Sequence, residues 1–159
     1  MSTKPLRFLS ESPALRRIVA VVAGLLVLGL VVMTLQQASA SLHPMPEGLD
    51  PFDPADAQAF DEFLQGMPPL AWALVFSSEL LGALFGGLTA GWIARDRHRI
   101  FSGVIVGLAL VGSVTNWMAF PHPVWFIVGQ LVGYPLMLMA AWAMLRRDRR
   151  QEEPVGTHG

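Results

Sequence analysis

Glu79 is the only charged side chain within the long apolar runs of this chain, and few residues are placed to serve it. It lies nine residues into the run Leu70–Ile93, a depth of about 14 Å at the rise of an α-helix. A bare carboxyl group near the centre of a membrane helix costs roughly 2.5–3.5 kcal/mol on insertion-type scales. No Lys or Arg occurs within any apolar run, so the sequence offers no ion-pair partner. That leaves hydrogen-bond donors, a proton, a bound cation or a water-filled cleft. Tyr134, ten residues into the run Val124–Leu145, reaches a similar depth of about 15 Å. Gln130 shares a helical face with Tyr134, and Asn116 shares one with Ser113 in the run between. A polar line from His122 through Asn116 and Gln130 to Tyr134 and Glu79 is the candidate proton or ligand site. Glu79 is expected to face protein, within one hydrogen bond or one bridging water of Tyr134, Gln130 or Asn116. Apart from Thr89 the other halves of the runs carry no comparable group, which describes a cleft open at one end rather than a through-path. Pro135 withholds an amide from the Leu131 carbonyl and is expected to kink its helix at the same level. The same polar groups would also serve if they only held the helices together.

Other chemistries find no residues. The chain has no Cys, which excludes disulfides, thiol redox chemistry and thiolate metal sites. His43 and His122 match no metal-binding spacing, so no metal is assigned to them. There is no phosphate-binding Gly-rich loop, nucleophile elbow or His-Glu-x-x-His. No catalytic set is complete, and neither enzyme activity nor a cofactor is expected.

The elements that must position Glu79 are membrane spans. The chain is 53% hydrophobic and 14% charged over 159 residues. Its apolar runs are each near the 20 or so residues that cross a bilayer. The expected spans are 18–37, 69–93, 100–120 and 124–145, giving an all-α four-helix bundle. All eleven Lys and Arg residues precede the first run, separate the second from the third, or follow the fourth. Basic residues stay on the cytoplasmic side during insertion, so residues 1–17 and the tail 146–159 are both expected inside. The inside segments carry eleven basic and five acidic residues, a net of +6, and the 38–68 connection carries six acids and no base. Such basic flanks suit anionic lipid headgroups at the cytoplasmic face, and this topology accounts for them without nucleic acid. The basic start, the apolar run and Ala38-Ser39-Ala40 imitate a cleavable signal, but the run is long and further spans follow, so an uncleaved first span is expected.

Within the 38–68 connection, Asp53-Pro54 reads as a helix start and Gly66 with Pro68-Pro69 as its end. Phe60, Phe63 and Leu64 fall on one side, which predicts a short amphipathic helix over about 54–65 on the outer surface. Trp72, Trp117 and Trp125 at one interface and Trp92 and Trp142 at the other form the aromatic belts. In the second span, with Ser78 at zero, Gly82, Gly86 and Ala90 fall at about 40°, 80° and 120°, with Glu79 among them. Small residues let another helix approach closely, either from this chain or from a second copy. Leu80, Leu84, Phe85 and Trp92 lie opposite and are expected to meet lipid. The pairs Gly103–Gly107 and Gly129–Gly133 are read as packing positions in the same way.

Two segments, Pro46-Glu47-Gly48-Leu49-Asp50-Pro51 and Asn116 followed by Pro121-His122-Pro123-Val124-Trp125-Phe126, resemble a group of uncharacterised bacterial four-span inner-membrane proteins. The resemblance implies a multi-pass protein of the bacterial inner membrane and carries no activity with it. Proton-coupled small multidrug transporters also have four spans and one membrane Glu. Theirs lies in the first span and their charge bias is weak, unlike the pattern here.

The expected function is therefore that of a non-enzymatic membrane protein that self-associates or serves as a partner subunit. The alternative is a small transporter or ligand-binding membrane protein using Glu79 as its proton or cation site.

Overall fold

The computed structural model describes residues 12–152. The start of the basic N-terminal segment, with Lys4 and Arg7, and the tail beyond residue 152 lie outside the described residues. Among the described residues five helices follow one another: α1 Pro13–Leu42, α2 Ala57–Gln65, α3 Pro69–Ala94, α4 His98–Ala119 and α5 Val124–Glu152. Single 3-10 turns at Pro54–Asp56 and Arg95–Arg97 lead into α2 and α4. No strand occurs among the described residues. α1, α3, α4 and the first 23 residues of α5 are long and apolar enough to cross a membrane. The chain is a multi-pass helical membrane protein.

α1 exceeds the expected 18–37 at both ends, because its limits follow caps rather than hydropathy. Ser12 accepts a hydrogen bond from the Leu15 amide at 3.3 Å, and Pro13 suits the first helical turn. At the other end no breaker occurs before His43-Pro44, so Ala38–Ala40 are helical and Ser39 is buried. Its hydroxyl donates to the Ala71 carbonyl of α3 at 3.0 Å. α3 and α4 meet in a sharp reversal in which Arg95 takes φ 50°, a conformation that costs energy in any residue but glycine. α5 runs on through Pro135.

α3 is the hub. It packs most extensively on α1 and also on α4 and α5, whereas among the described residues α1 touches α4 sparsely and has no helix contact with α5. One side of α3 meets α1 along a seam nearly free of side chains. A Cβ added at Gly86 would stand 2.6 Å from the Gly24 carbonyl oxygen, and one at Gly82 would stand 2.9 Å from Val32. A Cβ at Gly24 would meet Ala90 at 2.9 Å. The partner of the small face is thus the first span of the same chain. Ser78 and Ala90 on this face are fully buried.

The opposite side of α3 is corrected from lipid-facing to buried at Leu80, which fits over Gly133 of α5, while Phe76 fits over Gly129. Leu80, Ala83, Val106 and Tyr134 form the centre of the core. Phe85 and Trp92 do remain exposed. A Cβ at Gly103 or Gly107 meets nothing within 4 Å among the described residues, so these two glycines pack against no other span described. α4 packs instead through Ser102, Ile105, Val106 and Ser113. Gly-x-x-x-Gly spacing marks a stripe on a helix but does not say which stripe is covered.

The connection between α1 and α3 is folded onto one end of the bundle. Gly48 takes φ +83° in a turn closed by the Leu49 amide and the Pro46 carbonyl at 3.3 Å, a place where a side chain is strained. Asp53 caps the following 3-10 turn by accepting from the Ala55 amide at 2.8 Å. The His43 ring stacks on Phe63 and its Nε2 donates to the Phe63 carbonyl at 3.0 Å. Phe52 and Phe60 lie edge-on to Phe120 at the end of α4.

Candidate functional site

Glu79 faces protein. α3 brings it opposite Ser113 of α4 and Tyr134 of α5, both buried. Ser113 Oγ donates to Glu79 Oε2, and Tyr134 Oη lies 2.5 Å from Ser113 Oγ and 3.3 Å from the same Glu79 oxygen. Each hydroxyl has one proton to give. Ser113 spends its proton on the carboxyl group, so the short contact from Tyr134 is donated to the Ser113 oxygen. The result is a chain of two hydroxyls, Tyr134 to Ser113 to Glu79, in which each bond polarises the next. The chain holds one carboxyl oxygen and leaves the other. Oε1 has no hydrogen-bond partner among the described residues, and it is not one of the enclosed polar atoms that lack one. No cationic side chain of the described residues reaches it.

This arrangement opens on a crevice of about 300 Å³ between α1 and α4. Leu25, Leu28 and Val32 form one wall, and Leu108, Ala109 and Gly112 form the other. Glu79, Ser113 and Tyr134 lie between them, with Gln36 and Asn116 toward the end covered by the connection. The crevice exists because α1 is held by α3 and has few contacts with α4.

The expected polar line divides into separate groups. Asn116 does not bond Glu79; its Nδ2 stands 3.3 Å from His122 Nε2. His122 Nδ1 is 2.8 Å from the Phe120 carbonyl, which can only accept, so that nitrogen carries the ring proton and Nε2 accepts from Asn116. His122 packs between Trp72 and Phe126. Gln130 is fully buried and accepts at Oε1 from the Trp117 indole at 3.1 Å, while its Nε2 has no partner among the described residues. The indole, a donor only, fixes that amide orientation. Of the expected partners of Glu79, Tyr134 alone reaches it. Asn116 borders both the Glu79 crevice and a second, aromatic pocket of about 240 Å³ beneath the connection.

Ser113 and Gln36 were not among the expected site residues. Ser113 had a signal, its one-turn spacing from Asn116. Gln36 had none, because which face of α1 lines the crevice depends on how α1 packs on α3.

No protein family, curated protein or solved structure matches the chain.

Proposed function

We propose that this protein is a multi-pass protein of the bacterial inner membrane that binds a proton or a small cation at Glu79, as a transporter or ligand-binding protein and not as an enzyme. Both termini lie in the cytoplasm, and the connection carrying α2 covers the outer end, with α2 resting its Phe60–Phe63–Leu64 side on the bundle and the membrane surface. The observation that carries this reading is the one-sided satisfaction of Glu79: the Tyr134–Ser113 hydroxyl chain ends on Oε2, and Oε1 meets the crevice with no cation of the described residues near. An acid kept only to tie helices together would be expected to have both oxygens enclosed.

Infrared difference spectroscopy on the protein in lipid tests this. A carboxyl band that titrates with pH should be present in the parent and absent from Glu79→Gln, with helix content unchanged. A parent without any Glu79-dependent titrating band refutes the reading.

A second reading, association with another copy or a partner subunit, rests on Gly103 and Gly107. Their open surface on α4 is covered by none of the described residues. The chain is free of Cys, so Gly107→Cys gives a clean crosslink between copies if that surface is an interface. The Gly82–Gly86 face no longer supports this reading, since α1 fills it.

A further inference from the structure

The geometry points to a membrane-dissolved small amine as the ligand of Glu79, entering sideways between α1 and α4 with its ammonium on Oε1 and its alkyl part in the crevice. The inference rests on the reading of Glu79 as a proton or cation site and narrows it to a chemical class. Three observations select that class. The walls are aliphatic, and Leu25 and Leu108 on opposite walls are 40% and 47% exposed, so the mouth opens at the depth of the hydrocarbon. A ligand arriving there must dissolve in lipid. The one carboxyl group lining the crevice has a free oxygen, which complements an ammonium group and offers an anion nothing. The crevice volume of about 300 Å³ is at the lower limit for small-molecule pockets, which suits a short alkylamine rather than a whole lipid. The depth of Glu79, about 14 Å from the start of its apolar run, also keeps it away from amine headgroups at the surface.

Gly112 makes the crevice testable apart from the acid. It lines the wall, and a Cβ there meets nothing within 4 Å, so Gly112→Leu fills the space without pressing on backbone.

The experiment uses the full chain in vesicles of phosphatidylcholine and phosphatidylglycerol, which contain no primary-amine lipid, with tritiated octylamine as probe and protein-free vesicles subtracted. Binding should saturate at one site per chain and resist displacement by octanol. Glu79→Gln should weaken it by about ten- to a hundredfold, the loss expected for a charge-assisted hydrogen bond, and Gly112→Leu should weaken it by about tenfold or more by occupying the space of the alkyl part. Octanol displacing the probe as well as unlabelled octylamine does would overturn the inference, because the groove would then be merely apolar. So would Glu79→Gln binding within about twofold of the parent, since a lost ion contact is worth more than that. If the Glu79 infrared band titrates while octylamine finds no saturable site, the amine inference fails and the proton-site reading stands. If the band does not titrate, the underlying reading fails with it.

Discussion

Replacing Gly86 by alanine places a methyl group where α1 and α3 leave no room. Its carbon would stand 2.6 Å from the Gly24 carbonyl oxygen, 2.9 Å from Leu28 Cβ and 3.1 Å from Ile105 Cγ2. Ordinary contact begins at 3.4 Å, so α1 must withdraw by 3.4 − 2.6 = 0.8 Å. The first obstacle is backbone, which cannot rotate away as a side-chain tip would. Withdrawal also loosens the packing of Val32 over Gly82. Overpacking of this kind costs about 1–3 kcal/mol. The better helix propensity of alanine offsets up to about 1 kcal/mol of it. A net loss of about 1–2 kcal/mol is expected, read from unfolding in mixed micelles of rising dodecyl sulfate content. Gly107→Ala is the matched control, because its Cβ meets nothing within 4 Å; with the propensity gain unopposed it should be as stable as the parent or up to about 1 kcal/mol more so. Equal stabilities for the two variants would refute the seam. A Gly86→Ala protein that changed its oligomeric state without losing stability would assign that face to a second copy.

Trp117→Phe strips the buried Gln130 of the one partner its Oε1 has and should cost about 1–3 kcal/mol in the same unfolding measurement. Adding Gln130→Leu should recover most of that loss, and simple additivity of the two changes would mean the indole bond is not formed. Gly48→Ala forces a side chain into φ +83° and should cost about 1–2 kcal/mol locally, visible as faster hydrogen exchange at the Leu49 amide. Unchanged exchange there would contradict the turn. Ser102→Ala removes a buried hydrogen bond of 2.8 Å to the Gly87 carbonyl and should lower stability by about 0.6 kcal/mol, a typical value for such bonds in membranes. Thr115→Ala, whose exposed hydroxyl bonds only within its own helix, should be neutral by comparison.

Span number and the inward position of Glu79 were legible because both follow from the exclusion of water. Apolar runs of the right length have little choice, and an acid beside Gly82 and Gly86 shares their covered face. Helix ends were less legible where hydropathy and capping disagree, as at Ser12, which starts α1 well before its apolar run. Depth was a sound guide to Tyr134. Gln130 and Asn116 share the faces of Tyr134 and Ser113 but lie about one helical turn farther toward the connection, where they meet Trp117 and His122 instead. Which neighbour a side chain meets at its level is decided by the packing of the other helices, and no single run contains that information. Leu80 shows the same limit: a large residue opposite a glycine stripe can fill the glycine groove of a third helix as readily as it can meet lipid.

An arrangement in which α3 holds the other spans while α1 and α5 make no contact among the described residues makes the chain divisible. The first span is finished by residue 42, and its mating surface lies wholly on helices that follow a connection with no regular structure before Pro54. Spans are individually stable once inserted and associate afterwards. The peptide link between residues 43 and 53 therefore raises the local concentration of two complementary pieces rather than shaping either one. Synthesised as separate polypeptides, a first-span piece and a three-span piece retain every contact of the glycine seam, so this bundle lends itself to reconstitution from parts and to split reporters of membrane assembly.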